Sequence, residues 1–142
     1  MNKPFTQVLT DPIVVAVVVP VLLFLAGGFG KKLVRGGNDW HRKDFYLGVD
    51  AMLATISAAL IHIFDITKSM TQSNVPENIE KLIASGVFLG FSFFLYMIVL
   101  GIHQNWESKT RHRAKQWLWL VIVSNSIGLG LMSVFILVIK GG

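Results

Sequence analysis

The sequence predicts an all-α integral membrane protein, a bundle of four transmembrane helices that assembles into a homo-oligomer. Three observations predict it. The 142-residue chain is 53% hydrophobic and only 15% charged, against roughly a quarter charged residues in an average soluble domain. Its apolar residues fall into four runs, each long enough for a bilayer core that needs about 20 residues of helix. Basic and aromatic residues crowd into two connectors between those runs, as they do at membrane boundaries. Four spans and their connectors use nearly the whole chain, so residues 1–142 read as one transmembrane domain without room for a soluble catalytic unit.

The helices are expected over about 12–29, 45–66, 76–103 and 116–140. Asp11-Pro12 opens the first, a cap residue followed by a proline suited to the first turn. Pro20 sits mid-span and removes one backbone hydrogen bond, so a neighbour must satisfy the freed carbonyl. Gly27, Gly28 and Gly30 are expected to end this helix. Asp11 and the lack of a small-x-small cleavage site favour a span over a cleaved signal peptide. The third helix is announced by Asn74, Pro76 and Glu77, a cap arrangement that starts it before the membrane does. Residues 103–116 lack Gly and Pro, so helices three and four are expected to extend past the bilayer before turning.

Nine of the 13 Lys and Arg lie in two connectors: Lys31, Lys32, Arg35, Arg42 and Lys43, then Lys109, Arg111, Arg113 and Lys115. All four tryptophans lie in or beside the same connectors. The positive-inside rule makes these loops cytoplasmic and both termini external, in a multi-pass protein of the bacterial inner membrane. The basic loops suit lipid headgroups or an acidic cytosolic protein. Nucleic acid is a poor candidate, because the net charge of +5 reports topology here.

Helix two carries the clearest polar pattern. At about 100° per residue, Asp50, Ala51, Ala54, Thr55, Ser57, Ala58, Ile61, His62 and Asp65 share one face, and Val49, Met52, Leu53, Ile56, Leu60, Ile63 and Phe64 share the other. An ionisable group within a span costs several kcal/mol unless paired or hydrated. The polar face is therefore expected to meet protein or water and the apolar face lipid. Asp50 is either paired with a connector cation such as Lys31 or Arg42, or lines an ion path. Helix four adds Asn125 near mid-membrane with Ser126 and Ser133, either interhelical glue or part of the same polar seam. Gly86 and Gly90 in helix three stand in G-x-x-x-G spacing, with Gly101 near that face, a pattern expected at helix-packing surfaces.

The chain has no cysteine, and its histidines, His41, His62, His103 and His112, are scattered over both ends of the spans. No metal site, cofactor or enzyme constellation is expected. The first helix lacks the acidic residue of small multidrug exporters, and the third lacks the paired threonines of fluoride channels. In size and plan the chain resembles small membrane components of phage-defence operons and holin-like pores, a likeness of architecture that no motif carries. The expected function is a homo-oligomeric ion channel or membrane-perturbing effector, with Asp50, Ser57, His62, Asp65, Asn125, Ser126 and Ser133 on its polar seam. The alternative is a non-conducting anchor that recruits a cytosolic partner through the basic loops.

Overall fold

The computed structural model describes residues 11–36, 38–71, 75–107, 116 and 118–140. Among the described residues every regular element is helical, and four helices are long and apolar enough to cross a membrane. Helix α1 is Pro12–Arg35. A short 3₁₀ turn, Arg42–Phe45, leads into α2, Gly48–Ser69. Helix α3 is Val75–Glu107. The last helix, α4, runs through a π-helical Trp119–Val123, an α-helical Ser124–Val134 and a π-helical Phe135–Lys140.

Local chemistry explains most of the ends. The Asp11 side chain accepts from the backbone N–H of Ile13, and Pro12 occupies the first turn, where no N–H is needed. The glycines at 27, 28 and 30 do not end α1, contrary to expectation. Glycine costs little inside a membrane helix when its missing side chain admits a neighbour, and here Leu47 lies 3.0 Å from where a Gly27 Cβ would be. The helix stops at Gly36, which adopts φ 73° and ψ 24° and turns its N–H back to the carbonyls of Lys32 and Leu33. The expected cap residue Asn74 and the cations Lys109, Arg111, Arg113 and Lys115 lie outside the described residues.

Helix α2 is the spine of the bundle, packed along α3 on one side and α4 on another. Helix α1 rests mainly on α4 and touches α2 lightly. The apolar core is built from Met52 and Ala59 of α2, Phe88 and Val99 of α3, and Leu131 and Phe135 of α4. Residues of α1 are not part of it. The closest crossing is between α2 and α4. A Cβ at Gly128 would sit 2.7 Å from the Gly48 carbonyl oxygen, and a Cβ at Gly48 would fall inside the Ser124 backbone. Gly86, Gly90 and Gly101 have no atom within 4 Å of a built Cβ, so they do not pack α3 within the protomer. They face outward, because α3 instead turns Ser85 and Ser92 inward as its small residues.

Candidate functional site

The residues expected to form one polar seam separate into an outward set and a structural set. On α2 the buried positions are Gly48, Met52, Thr55, Ile56, Ala59 and Ile66. Met52 and Ile56, expected to face lipid, are core residues, because α3 and α4 both pack against that side. Asp50, Ala54, Ser57, Ile61 and Asp65 are exposed on the opposite side, together with Leu53, Leu60 and Phe64. Among the described residues, the polar stripe of α2 thus points directly away from the protomer core. Asp50 and Asp65, fifteen positions apart, bracket about 22 Å of span.

Lys31 forms an ion pair with Asp50 Oδ2 at 2.7 Å and donates to the Tyr46 carbonyl at 2.6 Å. The Asp50 side chain nevertheless stays 56% exposed. The Ser57 hydroxyl donates to the Leu53 carbonyl four residues back, which satisfies its proton without a second helix. Asp65 makes no ion pair among the described residues. Neither Thr55 nor His62 joins this stripe: Thr55, expected on the polar face, is fully buried beside Met52 and Ile56, and its hydroxyl donates to the Ala51 carbonyl. His62 is half-buried, its ring standing edge-on to Phe135 at 5.9 Å, and its Nε2 has no hydrogen-bond partner among the described residues.

The helix-four residues also divide. Asn125 is buried and bridges to the start of α2: its Oδ1 accepts from the Leu47 N–H at 3.0 Å and its Nδ2 donates to the Phe45 carbonyl at 2.8 Å. These backbone groups lie where the 3₁₀ turn breaks into α2, so the amide serves a helix entrance. Ser133 donates to the Ala16 carbonyl at 2.8 Å. Ala16 is the residue four before Pro20, and its carbonyl is the acceptor that proline leaves without a donor. Ser133 is the neighbour that the proline requires. Ser126 is exposed and on neither of these contacts.

The cations of the first connector are largely engaged within the chain. Arg35 grips the buried Asp44 through two nitrogens, Nε to Oδ1 at 3.2 Å and Nη2 to Oδ2 at 2.7 Å. The His41 N–H also donates to Asp44 Oδ2 at 2.8 Å, tying down the turn before α2. Lys32 lies 4.5 Å from the centre of the Trp40 ring, itself held by Phe29 and Phe45. Lys43 is exposed.

Sequence reasoning missed one buried polar line. Asn78, Ser85, Ser92 and His103 all face inward on α3. The first three are one heptad apart, a periodicity visible in the sequence but overshadowed by the glycine pair. The hydroxyls of Ser85 and Ser92 and the Asn78 amide nitrogen have no hydrogen-bond partner among the described residues. His103 stands edge-on to Tyr46 at 5.6 Å.

Among the described residues no cluster of His, Asp and Glu could hold a metal ion. Comparison of the chain with protein-family models, with curated proteins and with solved structures finds no match, so a functional reading draws on this geometry alone.

Proposed function

We propose that the chain is a small ion channel, or a membrane-permeabilising effector of the same design, that works as a homo-oligomer with the α2 stripe turned to a shared axis. The observation that carries this reading is the outward stripe itself. Asp50 on that wall is paired with Lys31, whereas Asp65, in line beyond Ser57, has no ion-pair partner among the described residues, and such a carboxylate is costly against lipid and ordinary against water. Copies arranged around an axis would give it water. Rings of Asp50 and Asp65 at the two mouths would favour cations. The protomer interior is closed by its own side chains, so conduction belongs to the assembly. The outward Gly86, Gly90 and Gly101 of α3 offer a neighbouring copy a close approach.

In this reading the two basic loops are cytoplasmic and both termini external, in a bacterial inner membrane, and the architectural likeness to phage-defence components and holin-like pores fits. A cytosolic partner docking on the loops is the alternative. The engagement of Lys31, Lys32 and Arg35 within the chain leaves such a partner less charge to use.

Planar-bilayer recording of the reconstituted oligomer tests the proposal. Cation conductance that falls on Asp50→Asn supports it. A stable oligomer with no conductance, together with no leak in cells that make it, sinks it.

A further inference from the structure

We infer that the cleft between α1 and α2 is a binding site for one acyl chain of a phospholipid with a phosphoethanolamine head. The site takes the α1-facing edge of the α2 stripe, at Asp50 and Ala54, and leaves Ser57, Ile61 and Asp65 to the shared axis; it does not depend on conduction, and binding is read on the protein itself.

The cleft has a volume of about 260 Å³ and is floored by Leu129 and Met132 of α4. It exists because α1 leans on α4 and leaves its contact with α2 incomplete. Its walls include Leu23, Phe24, Leu47, Ala51 and Ala54, and its only charged members among the described residues are Lys31 and Asp50. Pro20 also lines it, eleven positions along α1 from Lys31. That separation is about 16 Å of helix. A bilayer core is about 30 Å thick, so the cleft runs from one headgroup level to the midplane, the reach of a chain in one leaflet.

The mouth selects the head. Lys31 has three N–H donors, of which one is given to the Tyr46 carbonyl, while its charge is paired with Asp50. The ammonium keeps a donor for a phosphate oxygen. Asp50 faces Lys31 with Oδ2, and its Oδ1 has no partner among the described residues. That oxygen can accept from a primary ammonium. A head carrying phosphate and primary ammonium side by side therefore completes both residues and leaves the site neutral. A choline head has no N–H for Asp50, and a phosphoglycerol head adds a negative charge beside it.

The test is native mass spectrometry of the full chain purified in mild detergent, supplied in turn with dioleoyl phosphatidylethanolamine, phosphatidylcholine and phosphatidylglycerol. The expected result is retention of one phosphatidylethanolamine per protomer about tenfold over phosphatidylcholine, the size of one charge-assisted hydrogen bond. Asp50→Asn removes that preference and keeps chain binding. Ala54→Phe, at an exposed wall position, puts a ring into the cleft and abolishes retention of all three, with the far-UV circular dichroism of the variant unchanged. Equal retention of the three lipids by the unmodified protein, a preference for phosphatidylglycerol, no retained lipid, or retention unchanged by Ala54→Phe each overturns the inference.

Discussion

Pro20 and Ser133 form a pair whose coupling follows from the geometry. Proline cannot donate to the Ala16 carbonyl, which lies in a fully buried residue, and the Ser133 hydroxyl stands 2.8 Å away on α4. The same hydroxyl lies 3.0 Å from the Leu129 carbonyl, so one proton serves two acceptors. Leaving a buried carbonyl without a donor costs about 1–3 kcal/mol. Interhelical bonds in membranes average about 0.6 kcal/mol and reach about 1.7. Ser133→Ala should therefore destabilise the protein by about 1 kcal/mol, roughly fivefold in the unfolding equilibrium. Pro20→Ala restores a backbone N–H that reaches Ala16 from within α1. In that background Ser133→Ala should cost less than about 0.3 kcal/mol, a coupling above the usual scatter of additive mutations. Reversible unfolding in mixed micelles of mild and denaturing detergent, followed by far-UV circular dichroism, measures all four proteins. Equal costs for Ser133→Ala in the two backgrounds refute the reasoning.

Three further outcomes are expected. Gly128→Ala places a carbon 2.7 Å from the Gly48 carbonyl oxygen and 2.9 Å from the Ala51 Cβ. It should cost about 1–3 kcal/mol in the same unfolding assay, whereas Gly90→Ala, in open space, should leave the protomer unchanged and alter only the oligomer distribution on size exclusion. Asn125→Leu leaves the Leu47 N–H and the Phe45 carbonyl unpaired and should destabilise by about 1–3 kcal/mol, with faster proteolysis between α1 and α2. Arg35→Lys keeps the charge but loses the two-nitrogen grip on Asp44. It should loosen the same connector, seen as faster amide exchange at His41 and Asp44, without changing the α-helix content.

The four spans are legible in the sequence because hydropathy is a local property, and α3 and α4 match their expected ranges closely. The faces of α2 are legible only in part. In water, a helix that divides into polar and apolar faces reveals which one is buried. In a membrane, lipid is as apolar as the core, so the division at Asp50, Ser57 and Asp65 separates polar from apolar but not inside from outside. Met52 and Ile56 could be assigned to the core only from what α3 and α4 bring to them. The glycines share this ambiguity. Gly128 meets a neighbour within the protomer and Gly90 does not, although both are small residues in apolar helices. The roles of Asn125 and Ser133 were hidden for another reason. Their partners lie 78 to 117 positions away along the chain, and a polar residue in a span signals that it has a partner without naming it. The freed carbonyl at Ala16 was foreseeable from Pro20 alone.

The central claim is that the α2 stripe faces water at a shared axis. The natural absence of cysteine allows single thiols to be introduced on a clean background. Ser57→Cys on the stripe, Met52→Cys in the core and Phe93→Cys on the outward face of α3 can be compared, in the intact membrane, for reaction with a charged, membrane-impermeant thiol reagent. The account predicts labelling at position 57 and protection at positions 52 and 93. Protection at 57 equal to that at 93 would place the stripe against lipid and contradict it.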